Sequence, residues 1–257
     1  MMKRACFGHR GLTLSYLDSG GNGALIVALH AMWMEARTFE GFARVMPEWR
    51  VVSLDQRGHG LSDHSSDYSR AAFVGDIAAL LEHLEASKPV VLVGNSLGGN
   101  NAIAYARQHP DRVRALVVEE SPPEAHGSLD FVLDWRGIYP TREELERKIG
   151  ERLAWSVAPS FRETAKGWTL ACDPDELVAM QRVLNGDFWS DWLGTSCPAL
   201  VVRGTQSRAV DGALLETMAK RRPNTELLTL QAGHVTHHDD AAGFNAAVRK
   251  FLQEVNG

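Results

Sequence analysis

The stretch PVVLVGNSLGGNNAIAYA, Pro89–Ala106, leaves few folds open. Its first half is an unbroken apolar, β-branched run. A half-exposed strand would alternate, so a strand here must be covered on both faces. The run breaks at Gly94, passes Ser96 and two more glycines, and turns directly into a helical pattern. A buried strand that feeds a helix is the first half of a strand–helix–strand unit, and such units build parallel sheets. Similar runs recur as ALIVALH (Ala24–His30), WRVVSLD (Trp49–Asp55), VRALVVEE (Val113–Glu120), PALVVRG (Pro198–Gly204) and TELLTLQ (Thr225–Gln231). Between and after them lie apolar helical stripes, such as Phe73, Ile77, Leu80, Leu81 and Leu84, and later Phe244, Val248, Phe251 and Leu252. The expected class is α/β with a mostly parallel sheet. The opening HRGLTLSYLDSG reads as an antiparallel edge hairpin that ends in the turn SGGNG.

The rhythm stops between Ser121 and Ser196. This interval carries Trp135, Trp155, Trp168, Trp189 and Trp192, two amphipathic stretches and no clear buried strand. It reads as an insertion: residues 1–121 and 196–257 form the core domain and residues 122–195 a helical cap. A length of 257 residues suits one large domain with such an insertion, and 44% hydrophobic residues suffice for its core. The net charge of -5 leaves no basic footprint, so neither nucleic acid nor an anionic membrane is the expected partner. Three cysteines lie far apart, without metal-ligand spacing, and read as reduced thiols of a cytoplasmic protein. MMKRACFGHRG has no apolar segment behind its basic residues, so no signal peptide is expected, and no run approaches the roughly 20 residues that span a bilayer.

GNSLG, Gly94–Gly98, satisfies Gly-x-Ser-x-Gly with a buried strand before it and a helix after it. The glycines allow a tight turn that projects the Ser96 hydroxyl as a nucleophile. The N–H of Leu97 starts the helix and faces a developing oxyanion, helped by the positive end of the helix dipole. A second N–H is expected from the loop in IVALHAMWM, and counting two residues from His30 gives Met32. His30 is expected to brace that loop without transferring protons. Asp55 and Arg57, in LDQRGHGLSD, are expected to hold the next loop.

With LHAMW, DQRGHGLS, GNSLGG, PALVVRG and AGHVTHHDD in place, nearly the whole chain resembles the α/β-hydrolase fold family. The resemblance implies an eight-stranded, mostly parallel sheet flanked by helices, a nucleophile elbow after strand five, a helical cap after strand six and a histidine near the C-terminus. His234 occupies that position, and a neutral imidazole suits a base at pH 7. His237 and His238, beside Asp239 and Asp240, read as surface capping. The first motif departs from the family's usual His-Gly, since Ala31 follows His30. The family's usual acid closes a Gly-x-x-Asp turn after strand seven, and here that turn is GTQS, ending in Ser207. Three readings follow: Asp211 reaches back, the acid is absent as in a non-enzymatic member, or it has moved to the end of strand six. The pair Glu119-Glu120 favours the last, because two carboxylates there make little sense as core. Side chains alternate along a strand, so only one should meet the histidine. Family members with the acid at this place follow a Leu-Val-x-x-Asp pattern, which falls on Glu120. Glu119 and Asp211 remain alternatives.

The expected function is a serine hydrolase that cleaves a small or medium apolar carboxylic ester through Ser96, His234 and Glu120, by way of an acyl-enzyme. Met32 and Leu97 would form the oxyanion hole, and Trp33 and Trp135 would line an apolar substrate pocket. No metal or organic cofactor is implied. Serine at the elbow argues against the dehalogenase and epoxide hydrolase branches, which resemble this chain but need a carboxylate there. One alternative is a C–C bond hydrolase or lactonase on an aromatic-pathway metabolite, because Asn95 in GNSLGG is similar to the elbow of the C–C hydrolases. Another is a non-catalytic hydrolase-like binding protein, for which Ser207 is the best support.

Overall fold

A computed structural model describes residues 1–256. Eight strands form one sheet: β1 (Lys3–His9), β2 (Leu12–Asp18), β3 (Leu25–Leu29), β4 (Arg50–Leu54), β5 (Val90–Asn95), β6 (Val113–Glu119), β7 (Ala199–Gly204) and β8 (Thr225–Leu230). Their spatial order is β1-β2-β4-β3-β5-β6-β7-β8. The β1–β2 and β2–β4 pairs are antiparallel. Every other neighbouring pair is parallel. The edge hairpin begins earlier than its sequence suggests. It turns through Arg10 and Gly11, both at positive φ (48° and 81°), and SGGNG instead leads from β2 to β3.

The helices are α1 (Glu40–Val45), α2 (Arg70–His83), α3 (Leu97–Gln108), α4 (Arg142–Ile149), α5 (Glu151–Val157), α6 (Pro174–Leu184), α7 (Trp189–Leu193), α8 (Gly212–Arg221), α9 (Thr236–Asp239) and α10 (Ala241–Asn256). Successive residues of the central strands serve opposite cores, which is why their sequences show no alternation. Val90, Leu92, Leu116 and Val118 pack with Leu80, Ile103 and Tyr105 on the side of α2 and α3. Val91, Val93, Ala115 and Val117 pack with Phe42, Phe244 and Phe251 on the side of α1 and α10. Truncating a fully buried leucine such as Leu92 would cost about 2–5 kcal/mol.

The segment between β6 and β7 is not purely helical. Phe161–Thr164 pairs antiparallel with Gly167–Leu170, and Glu124–Ala125 pairs with Gly186–Asp187. The hairpin needs Gly167 at φ +126°, where a Cβ would lie 2.4 Å from the Tyr139 carbonyl oxygen. The tryptophans divide by task. Trp135 and Trp168 belong to an apolar cluster of this segment, which also takes in Met32 and Leu97 from outside it. Trp192 is fully buried in the sheet's own core and donates to the Met218 carbonyl at 3.1 Å. Trp189 donates to Glu124 at 2.8 Å, and Trp155 stacks on His238 with ring centres 4.2 Å apart. Polar ties fasten the segment down: Arg162 donates to Glu35 at 2.6 Å, and Trp33 Nε1 donates to Ser156 at 3.2 Å. Among the described residues, no helix is long and apolar enough to cross a membrane.

Candidate active site

The elbow forms because β5 runs straight into α3. Ser96 sits between them at φ +53° and ψ −114°, a region a non-glycine residue holds only when its surroundings impose it. The surroundings are tight. A Cβ on Gly98 would lie 2.1 Å from the Leu29 carbonyl oxygen, and one on Gly94 would lie 2.5 Å from the Gly98–Gly99 backbone. Glycine there lets the start of α3 press against β3 and hold the turn. The Ser96 N–H donates to the Glu119 carbonyl at 2.9 Å, which ties the elbow to β6. Among the described residues the Ser96 hydroxyl makes no hydrogen bond, and it is partly exposed.

Positive φ at non-glycine residues recurs around this point, at Trp33 (53°) and Glu120 (51°) as well as Ser96. Each follows the C-terminal end of a central strand, where ligands of open α/β sheets bind. In the β3 loop, Met32 precedes the strained Trp33, and neither the Met32 nor the Leu97 N–H is engaged among the described residues. Ala31 is accommodated without a positive φ, so the departure from His-Gly needs no strained backbone at that residue. His30 braces this loop as expected. Its Nδ1–H donates to the Ala31 carbonyl at 2.8 Å and its Nε2 accepts from Gln56 N at 3.0 Å. Burial pushes the His30 pKa down, which keeps the ring neutral. Beneath it, His59 is pushed down to about 3 by burial and by His30 beside it. Asp55 caps Ala36 N at 2.7 Å, whereas Arg57 reaches past it to grip Asp76 of α2 at 2.6 and 2.7 Å.

Beyond β8, the chain brings His234 to the same sheet edge. Asn95 Nδ2 donates to the His234 carbonyl at 2.9 Å and to the Glu119 carbonyl at 3.2 Å, so one side chain links elbow, β6 and histidine loop. His234 Nδ1 donates to Glu120 Oε2 at 3.2 Å. The other oxygen of Glu120 accepts from Gly204 N at 2.7 Å, at the end of β7. A carboxylate on Nδ1 fixes the tautomer and leaves the Nε2 lone pair free. The His234 side chain keeps 25% of its surface open while Glu120 has 1%.

The other candidates for the acid lie elsewhere. Asp211 caps α8, accepting from Ala213 N at 2.9 Å. Ser207 stands in a turn whose N–H returns to the Gly204 carbonyl at 3.2 Å. Glu119 has a partner of its own. Its Oε2 accepts from His237 Nδ1 at 2.6 Å and its Oε1 from Thr236 Oγ1 at 2.7 Å and His237 N at 2.8 Å. This corrects the surface role read for His237. The ring is buried, stacked on Phe39 at 4.4 Å, with Nε2 bonded to Thr38 Oγ1 at 2.8 Å. His238 does remain exposed. A matching pattern was present in the sequence: two adjacent glutamates answered by two histidines three positions apart. Trp33 is half-buried, and Trp135, only 3% exposed, packs edge-on against it with centroids 5.6 Å apart. Among the described residues, no group of three or more His, Cys, Asp or Glu is placed to hold a metal ion.

Comparison with known proteins identifies the family. A sequence model of the alpha/beta hydrolase fold matches residues 20–148. The chain is 40% identical over 268 residues to the mouse (Mus musculus) sn-1-specific diacylglycerol lipase ABHD11, covering 95% of this chain and 86% of that one. It is 29% identical over 268 residues to a 2-hydroxymuconate semialdehyde hydrolase of Pseudomonas sp. (strain CF600), covering 93% and 90%. Among solved structures, E-2-(acetamidomethylene)succinate hydrolase superposes with a TM-score of 0.87 at 23% identity, over 98% of this chain and 100% of that one. The chain therefore belongs to the alpha/beta hydrolase fold family.

Proposed function

We propose that the protein is a serine hydrolase that cleaves a small or medium carboxylic ester through Ser96, His234 and Glu120. The observation that carries this reading is the Glu120–His234 contact at the sheet edge where the elbow ends, in the chain order serine, acid, histidine. His234 Nε2 takes the Ser96 proton as Oγ bonds to the substrate carbonyl carbon. The N–H groups of Met32 and Leu97 hold the oxygen as it gains charge. His234 returns the proton to the departing alcohol. It then takes a proton from water as the water oxygen attacks the acyl carbon, and passes that proton to Ser96 Oγ as the ester bond to the enzyme breaks and the carboxylic acid leaves. Glu120 orients the ring and stabilises its charged form. Residues 122–195 act as the cap, with Trp33 facing the acyl group and Trp135 holding Trp33 in place.

The test is turnover of short-chain p-nitrophenyl esters together with fluorophosphonate labelling. Wild type should hydrolyse the esters and be labelled at Ser96, and Ser96→Ala should lose both. Absence of turnover and of labelling in the wild type would overturn the reading. A C–C hydrolase or lactonase is the second reading, favoured by the similarity to the 2-hydroxymuconate semialdehyde hydrolase and by Asn95 in the elbow. It predicts Ser96-dependent turnover of ring-cleavage products or lactones above that of any simple ester.

A further inference from the structure

The turn after β7, relieved of the family's usual acid, does not fill with another contact to the histidine. It opens instead into a cleft of about 700 Å3 lined by Thr205, Gln206, Ser207 and Arg208, with Arg152 of α5 opposite. Among the described residues no carboxylate lines it. The arginines of the neighbouring α4 pair within their own helix, Arg142 with Glu146 and Arg147 with Glu144, whereas Arg152 and Arg208 hold no ion pair among the described residues. In a chain of net charge -5, two unpaired guanidinium groups across one cleft form a local positive field.

The turn that lines the cleft is tied to the segments that carry the proposed catalytic residues. Gly204 donates to Glu120, and Gln206 N donates to the Ala232 carbonyl at 2.9 Å, two residues before His234. On the other side, α5 docks on the histidine loop through Trp155, which stacks on His238 and shares a helical face with Arg152 at i, i+3. Both arginines are thus carried on elements that touch the segment bearing His234. The remaining lining groups are hydroxyls and one amide, which donate to an anion without repelling it.

We propose that this cleft is an anion subsite and that the substrate is an ester of apolar body with a carboxylate at one end. The body lies on Trp33 and Met32, and the carboxylate is gripped between Arg152 and Arg208, whose forked donors suit its two oxygens. The proposal rests on the hydrolase reading for the word ester, but the subsite is testable without it.

Two measurements separate the two. In the first, adipate binding to the full chain is followed by calorimetry, with neutral hexanamide as control. Wild type should bind adipate and not hexanamide, and Arg152→Ala and Arg208→Ala should each weaken binding about ten-fold or more. Arg208→Glu should weaken it further. In the second, mono-p-nitrophenyl adipate and p-nitrophenyl hexanoate are compared, and the ratio of their kcat/KM values should exceed one in wild type and fall about ten-fold in each alanine variant. Adipate binding that both variants retain, or no adipate binding in wild type, overturns the subsite even where hexanoate ester is hydrolysed. Arginine-dependent adipate binding without turnover of either ester upholds the subsite and overturns ester hydrolysis.

Discussion

Glu119 and Glu120 are consecutive residues at the end of one strand, each buried and each accepting from a histidine Nδ1. Their partners differ in what surrounds the other nitrogen. His237 has 1% of its side chain exposed, a phenyl ring on its face and Thr38 on Nε2. His234 is 25% exposed and, among the described residues, its Nε2 has no partner. Burial by itself would raise the Glu119 carboxyl, but the His237 charge and the hydrogen bonds to the side chains of His237 and Thr236 and to His237 N outweigh it and hold the group below the usual carboxylate range. The same pair of side chains thus makes a brace when sealed and a proposed acid–base device when one nitrogen is left open. The brace also serves the device. Glu119 fixes Thr236 and His237 just beyond His234, and its carbonyl accepts from the Ser96 N–H.

The sharpest way to break this contrast is Glu120→Gln. The amide oxygen still receives Gly204 N, while the wrong His234 tautomer becomes available. The expected result is a fall in kcat of roughly 10⁴-fold with little change in Tm, read by steady-state kinetics and a thermal scan. A loss under ten-fold would remove Glu120 from the proposed triad.

Glu119→Gln should do the reverse. Breaking a buried pair costs about 3–5 kcal/mol, and at about 2–4 °C per kcal/mol for a chain of this size Tm should drop by roughly 6–20 °C. The fraction that stays folded should retain kcat within about ten-fold. If Tm holds while kcat collapses, the roles of the two glutamates are exchanged.

His30 and His59 extend the comparison to buried histidines with no carboxylate on the ring. His59 sits at about 3 in the folded chain and near 6.5 unfolded, so between these values the unfolded state binds more protons. Stability should therefore fall as pH drops below about 6.5. Each such histidine contributes a slope of up to about 1.4 kcal/mol per pH unit. Glu119 adds to this lower down, since its lowered carboxyl gives stability that is lost as pH falls through the folded value. Urea titrations from pH 7 to pH 4.5 check this, and His59→Gln should flatten the curve. An unchanged slope would mean that His59 is charged when folded.

The smallest effect is expected at Asp211, which caps α8. Asp211→Ala should cost about 1 kcal/mol and leave turnover of a neutral ester unchanged. A large rate loss would return Asp211 to consideration as the acid.

The sheet, the elbow and the histidine loop were legible because their signals are local. Continuous apolar runs require two covered faces, and glycines flanking a serine require a tight turn wherever they occur. What local pattern did not reveal depended on contacts between distant residues. His237 looks like a surface residue beside Asp239 and Asp240, but Thr38, 199 residues upstream, Phe39 and Phe244 bury it. The hairpin at Phe161–Leu170 leaves no sequence signal because its strands are short and half-exposed, and Trp192 lies in the inserted stretch of sequence although it fills the sheet's core. The sequence by itself determined the class of fold and the serine at its centre, since both follow from residue periodicity and turn chemistry. The resemblance already favours Glu120 as the proposed acid, whereas the contact between Glu120 and His234 is a matter of tertiary structure. Alternation places the two carboxylates apart, but which one meets an open imidazole depends on where the chain turns past the strand, at the positive φ of Glu120.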